Sequence, residues 1–202
     1  MIEQLLHRIA ETLDAHGIPY MIIGGQAVLI HGRPRLTEDV DITLGVDTDE
    51  FRKVFECSCK LKFRPLRADP ERFAEQTKVL PVEDPSSRLR VDFVFSNTPY
   101  EREAVRRAMK VKIDSYPVKF ASAEDLIIHK IFADRAIDLE DAKAVLIRKG
   151  KDLDRSYIRK WLRLLGEAAE GSEDLVSIWQ RLCRETDATR SSSPPRAPKE
   201  GG

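Results

Sequence analysis

The chain has 202 residues, 42% hydrophobic and 34% charged, enough apolar side chain for one compact domain or a small domain with a helical extension. Its 34 basic residues balance 34 acidic ones, so any attraction to nucleic acid or a membrane has to be local. Three cysteines exclude a disulfide framework, and the longest apolar run falls well short of the ~20 residues a membrane span needs, so a soluble, cytoplasmic protein is expected.

Ile2, Leu5, Leu6, Ile9 and Leu13 recur at helical intervals, and His16-Gly17 ends that run. Tyr20-Met21-Ile22-Ile23 reads as a short buried strand stopped by Gly24-Gly25, with one or two helical turns from Gln26 to His31. Gly32, Pro34 and Thr37 mark a loop before a strand beginning at Asp39. A helix is expected over 47–55. The proline-rich stretch 60–87 offers one strand at 78–82. A clear strand follows at 89–95, then a helix over 99–109 with Pro99 in its first turn, and a short strand at 116–120. From Ser122 the period is helical to about Glu185, and the Pro/Gly/Ser-rich tail from about Ala188 is expected to be disordered. The expected architecture is an α/β (α+β) fold, a mixed β-sheet flanked by helices over 1–121, then a helical part over 122–187 and a tail over 188–202.

Residues two apart on a strand share a face. Asp39, Asp41 and Thr43 therefore lie opposite Val40, Ile42 and Leu44, while Arg90 and Asp92 lie opposite Leu89, Val91, Phe93 and Phe95. If the two strands are neighbours, three carboxylates converge on one surface of the sheet. Oxygen-only ligands suit a hard ion such as Mg²⁺, and two such ions can clamp an in-line phosphoryl displacement. An exposed strand edge that uses aspartate against aggregation is the plainer reading of D-x-D alone. Gly24-Gly25 adds a turn where backbone N–H groups can approach a phosphate without a Cβ in the way.

Gly24-Gly25, thirteen intervening residues, Asp39-Val-Asp41 and then Asp92 resemble the nucleotidyltransferase superfold shared by polymerase-β-like enzymes. The fuller pattern "GGQAVLIHGRPRLTEDVDITL", with Arg35-x-Thr37-x-Asp39-x-Asp41, is similar to AbiEii toxin-type nucleotidyltransferases. So is "SAEDLIIHKIFADRAIDLEDAKAVL", which carries Lys130, Arg135, Asp138 and Asp141. The resemblance covers residues 1 to about 150. It implies a nucleotidyltransferase-like sheet and transfer of an NMP from an NTP, ATP among them, to a hydroxyl with release of pyrophosphate. The metal would be two Mg²⁺ ions, with Mn²⁺ as an alternative. Asp39 and Asp41 would hold the ions at the triphosphate, and Asp92 would complete the acceptor-side site and help deprotonate the attacking hydroxyl. Gly24 and Gly25 would cradle phosphate, Lys130 would reach the triphosphate, and Arg35 would contact phosphate or orient the aspartates. Asp138 and Asp141 would brace Arg135.

The implied acceptors are an RNA or tRNA 3′ end or a protein hydroxyl, with a cognate antitoxin protein as partner. The alternatives are an inactive nucleotide- or RNA-binding module of the same fold and a small-molecule, antibiotic-type nucleotidyltransferase. Two departures stand out: Gly25 replaces the serine many relatives place on phosphate, and the chain is shorter than long members of the toxin family. Without the resemblance, Lys130 reads as a lysine whose stem covers the core. Arg155, Arg159, Lys160 and Arg163 with Tyr157 and Trp161, and Arg106, Arg107, Lys110 and Lys112, read as solvated faces or RNA contacts. Cys57-Ser-Cys59 is half a zinc motif with no second half.

Overall fold

Leu5, Leu6, Ile9, Ala10 and Leu13 form the buried side of α1 (Ile2–Ala15), which packs against the sheet described below. The computed structural model describes residues 1–33, 39–168 and 174–191, with side chains as far as 188. It divides into two units, Met1–Leu126 and Ile127–Gly202.

The first unit is built on β1 (Tyr20–Ile23), β2 (Asp39–Leu44), β3 (Arg64–Pro65), β4 (Val79–Glu83), β5 (Arg90–Phe95), β6 (Met109–Ile113) and β7 (Tyr116–Phe120). They form one mixed sheet in the order β3-β4-β5-β2-β1-β7-β6. Beside them lie α2 (Gly24–His31), α3 (Phe51–Lys60), α4 (Pro70–Thr77) and α5 (Pro99–Arg106). The pairing of β2 with β5 is parallel and in register from Asp39↔Arg90 to Leu44↔Phe95. Val40, Ile42, Leu44, Val91, Phe93 and Phe95 are all buried on one face, where Phe63 and Phe51 lie against Phe93 and Phe95. Each buried side chain of this size contributes roughly 1.5–3 kcal/mol. A like-charged cross-strand neighbour costs only on the order of 1 kcal/mol. The apolar face therefore fixes the register, and the carboxylates are carried on the other side.

Three expectations from the sequence shift. The helix expected over 47–55 begins later: Asp47 accepts from Thr48 N and caps a 3₁₀ turn over Thr48–Glu50, and α3 then runs to Lys60. The proline-rich stretch hides α4, whose Pro70 sits in the first turn behind the Asp69 cap. The helix expected to reach Met109 ends at Arg106, and Met109 opens β6.

The second unit starts inside α6 (Ala123–Ala133) and continues through α7 (Ala136–Lys149), α8 (Arg155–Ala168) and α9 (Leu175–Ser191). Ala142, Val145, Leu146, Ile158, Leu162, Leu175, Ile178, Trp179 and Leu182 supply its buried apolar side chains. The helix of α9 runs past 188, where the tail was expected to begin, as far as Ser191; residues 192–202 lie outside the described residues. Among the described residues no helix is long and apolar enough to cross a membrane.

Candidate active site

The register of β2 and β5 makes Asp41 the direct neighbour of Asp92, and Asp39 that of Arg90. Neighbours in register on parallel strands point the same way, so Asp39, Asp41 and Asp92 share one face with Arg90 between them. Asp39 is exposed, Asp41 and Asp92 are half-buried, and the intervening Val40 and Val91 are fully buried.

Gly24 is the first residue of α2 and has φ +64, a conformation that favours glycine. It lies against the Asp41 side chain, so the helix begins at the carboxylate. A negative charge at the start of a helix is stabilised by the helix dipole and the unsatisfied first amides. The N-cap residue Ile23 supplies no side-chain hydrogen bond. Gly24 thus admits Asp41, and Gly25 is buried.

Arg90 is the site residue to which the sequence reading gave no role. Its Nε donates to Asp92 Oδ1 at 2.8 Å, and its side chain is 51% exposed against 16% for Asp92. The Asp92 hydrogen bond raises the Arg90 pKa above its ordinary value; burial opposes this, and the charges of Asp92, Asp39 and Asp41 add to it. All three carboxylates therefore act on one guanidinium. The signal was present in the sequence as R-x-D at a same-face spacing.

Among the described residues no three His, Cys, Asp or Glu side chains stand together in positions that could hold a metal ion, the aspartates of this face included. Their donor chemistry nevertheless fits a hard divalent ion: oxygen only, several negative charges, one face. Arg35 lies outside the described residues.

Lys130 belongs to the helical unit. It is 7% exposed and pairs with Asp138 at 2.6 Å and Asp141 at 2.9 Å, while Arg135 Nε pairs with the other Asp138 oxygen at 2.5 Å. Burial pushes the Asp138 carboxyl up, but Arg135 and Lys130 outweigh it and hold the group below its usual value. Asp138 therefore braces both Arg135 and Lys130, and Asp141 braces Lys130.

The basic stretches are partly engaged. Arg106 pairs with Glu103, and Arg107 with Asp125 at 3.4 Å. Arg155 lies 3.7 Å from Asp187, while Arg159, Lys160 and Arg163 are exposed on α8. Cys57 is buried and Cys59 exposed, so the pair does not face one point.

Residues 10–153 match the family described as nucleotidyl transferase AbiEii toxin, type IV toxin–antitoxin system. The chain belongs to the AbiEii family. It is a nucleotidyltransferase by that membership. No curated protein matches it in sequence. Among solved structures, a nucleotidyltransferase-like antigenic protein from Paracoccidioides brasiliensis is similar, with 18% identity and a TM-score of 0.59, covering 94% of this chain and 90% of that one. The antibiotic-resistance factor ANT(2″)-Ia is similar at 13% identity and a TM-score of 0.53, covering 95% of this chain and 97% of that one. A second structure of that factor, in complex with adenylyl-2″-tobramycin, gives 15% identity and a TM-score of 0.52, with 89% and 97% covered. At these identities the likeness is one of fold, and it agrees with the AbiEii membership.

Proposed function

We propose that this AbiEii-family protein transfers an NMP from an NTP to a hydroxyl acceptor, with divalent metal held by Asp39, Asp41 and Asp92. The observation that carries the reading is the in-register pairing of Asp41 with Asp92, with the glycine-started helix α2 meeting Asp41 on the same face. Such transfer is mostly positioning and charge neutralisation. Bound Mg²⁺ would neutralise the triphosphate and lower the cost of the attacking oxyanion. The chain's own residues supply the rest. Asp39 and Asp41 present oxygen donors from one strand, and Asp92 presents one beside the acceptor and takes up its hydroxyl proton. The start of α2 at Gly24 and Gly25 offers amides to phosphate. Lys130 is proposed as a triphosphate ligand, a role that an NTP KM measured on Lys130→Ala would test.

RNA, in particular a tRNA 3′ end, and protein hydroxyls are the proposed acceptors, and a cognate antitoxin is the proposed partner. A small-molecule acceptor is the second reading, favoured by the fold shared with ANT(2″)-Ia, a structure of which contains an adenylylated tobramycin. The deciding experiment supplies α-labelled NTPs and Mg²⁺ to the full chain with total RNA, total protein or aminoglycosides, beside Asp41→Ala. Labelling of one acceptor class by the wild type alone supports the reading. Equal labelling by both proteins in every class overturns it.

A further inference from the structure

The register that sets Asp41 beside Asp92 also sets Arg90 in a cross-strand row of alternating charge: Asp39 on β2, Arg90 on β5, Glu83 on β4 and Arg64 on β3. Arg90 has a carboxylate on either side along this row. Glu83 already has cations of its own, Arg64 at 2.8 Å and Arg88 at 3.8 Å. The Arg90 guanidinium turns along its own strand instead, to Asp92 Oδ1. That oxygen is thereby occupied by a cation of the chain itself. A planar guanidinium and a divalent ion seek the same carboxylate lone pairs, so they compete for Asp92.

We propose that Arg90 is a displaceable counter-cation, a positioning residue that holds Asp92 until a divalent ion takes its place. The inference rests on the metal-dependent reading above. Its physical basis is that three like charges within one face need a cation, and a tethered one offsets them when metal is scarce. Arg90 can yield because half of its side chain is in solvent, where water can take up the guanidinium once it leaves Asp92. The metal-free protein is then spared the repulsion, and metal affinity at Asp92 is set below what its oxygens alone would give.

The test is calorimetric titration of Mn²⁺ into the full chain, with thermal melting in EDTA, for wild type, Arg90→Gln, Arg90→Lys and the double variant Arg90→Gln/Asp92→Asn. Arg90→Gln should bind Mn²⁺ roughly tenfold tighter, the scale expected when one charge a few ångströms away is removed, and should melt lower in EDTA. Arg90→Lys, which keeps the charge but loses the planar fork, should fall between the two. The gain should vanish in the double variant. If the wild type binds Mn²⁺ and neither Arg90 variant binds it more tightly, the role of Arg90 is overturned while the transferase reading stands. Should Arg90→Gln fail to fold, the Arg90→Lys comparison decides. If no protein in the set binds Mn²⁺, the metal site itself is overturned and this inference with it.

Discussion

The carboxylate of Asp41 occupies the space that a Cβ on residue 24 would need: such an atom would overlap Asp41 Oδ2 and stand 3.0 Å from its Cγ. Gly24 also has φ +64, where a side chain adds about 1–2 kcal/mol of strain. Gly24→Ala should therefore lose about 1–3 kcal/mol in urea unfolding. It should also lose on the order of 10²-fold in transfer rate, since Asp41 has to move.

Asp39 is the exposed member of the acidic face and adds to the charge that Arg90 must offset. Asp39→Asn should lower transfer by about 10³-fold, the scale of losing an electrostatic group at a phosphoryl centre. Its melting temperature in EDTA should stay within a few degrees of wild type or rise. A large fall in melting temperature would make Asp39 a structural residue.

Loss of Lys130, unlike loss of Asp39, should cost stability as well as transfer. Lys130→Ala removes the buried cation shared by Asp138 and Asp141, 1% and 8% exposed, and should cost about 3 kcal/mol, the lower end for breaking a buried pair because Asp138 keeps Arg135. Lys130→Ala together with Asp138→Asn should recover part of that loss.

Acid should act on the same cluster. Asp138 is held below its usual value in the folded chain, so the unfolded chain binds its proton first as pH falls. The stabilisation is fully present above the unfolded value of about 3.9 and is lost as pH drops through the lower folded value. Denaturation midpoints measured between pH 6 and pH 2 should fall in that window, and fall less for Asp138→Asn.

Cys57 and Cys59 should react differently with a thiol reagent. Burial pushes the Cys57 thiol up to about 11, whereas Cys59 is exposed. Mass spectrometry after brief alkylation should find Cys59 modified and Cys57 intact until the protein unfolds.

The alternation in Asp39–Leu44 and Arg90–Phe95 made both strands and their charged face legible, because an apolar side chain misplaced by one residue would have been exposed. Their pairing was not legible: β2 and β5 meet through residues that no local pattern connects. Proline misled the reading between them. Pro70 starts a helix rather than breaking one. Pro81 lies within β4 opposite Asp92, and its carbonyl still accepts from Leu66 N just past β3. β6 was concealed because "MKVKI" follows a helix directly, and its hairpin turns on Asp114 and Ser115, both at positive φ without glycine. Arg90 was visible as a same-face arginine, but its partner choice depends on Glu83 being engaged by Arg64 and Arg88, and those contacts come from other strands and a loop.

Parallel neighbours cannot be joined by a tight turn, and here residues 45–89 intervene between the strands that carry Asp41 and Asp92. Closing so long an excursion costs chain entropy before any pairing energy is returned, so this step should come late in folding. A ribosome-bound chain that stops short of residue 92 holds Gly24, Asp39 and Asp41 but lacks the third aspartate of the proposed site. On the proposed reading, competence to transfer a nucleotide waits for Asp92 and then for Lys130, and fragments released early in synthesis should be inert.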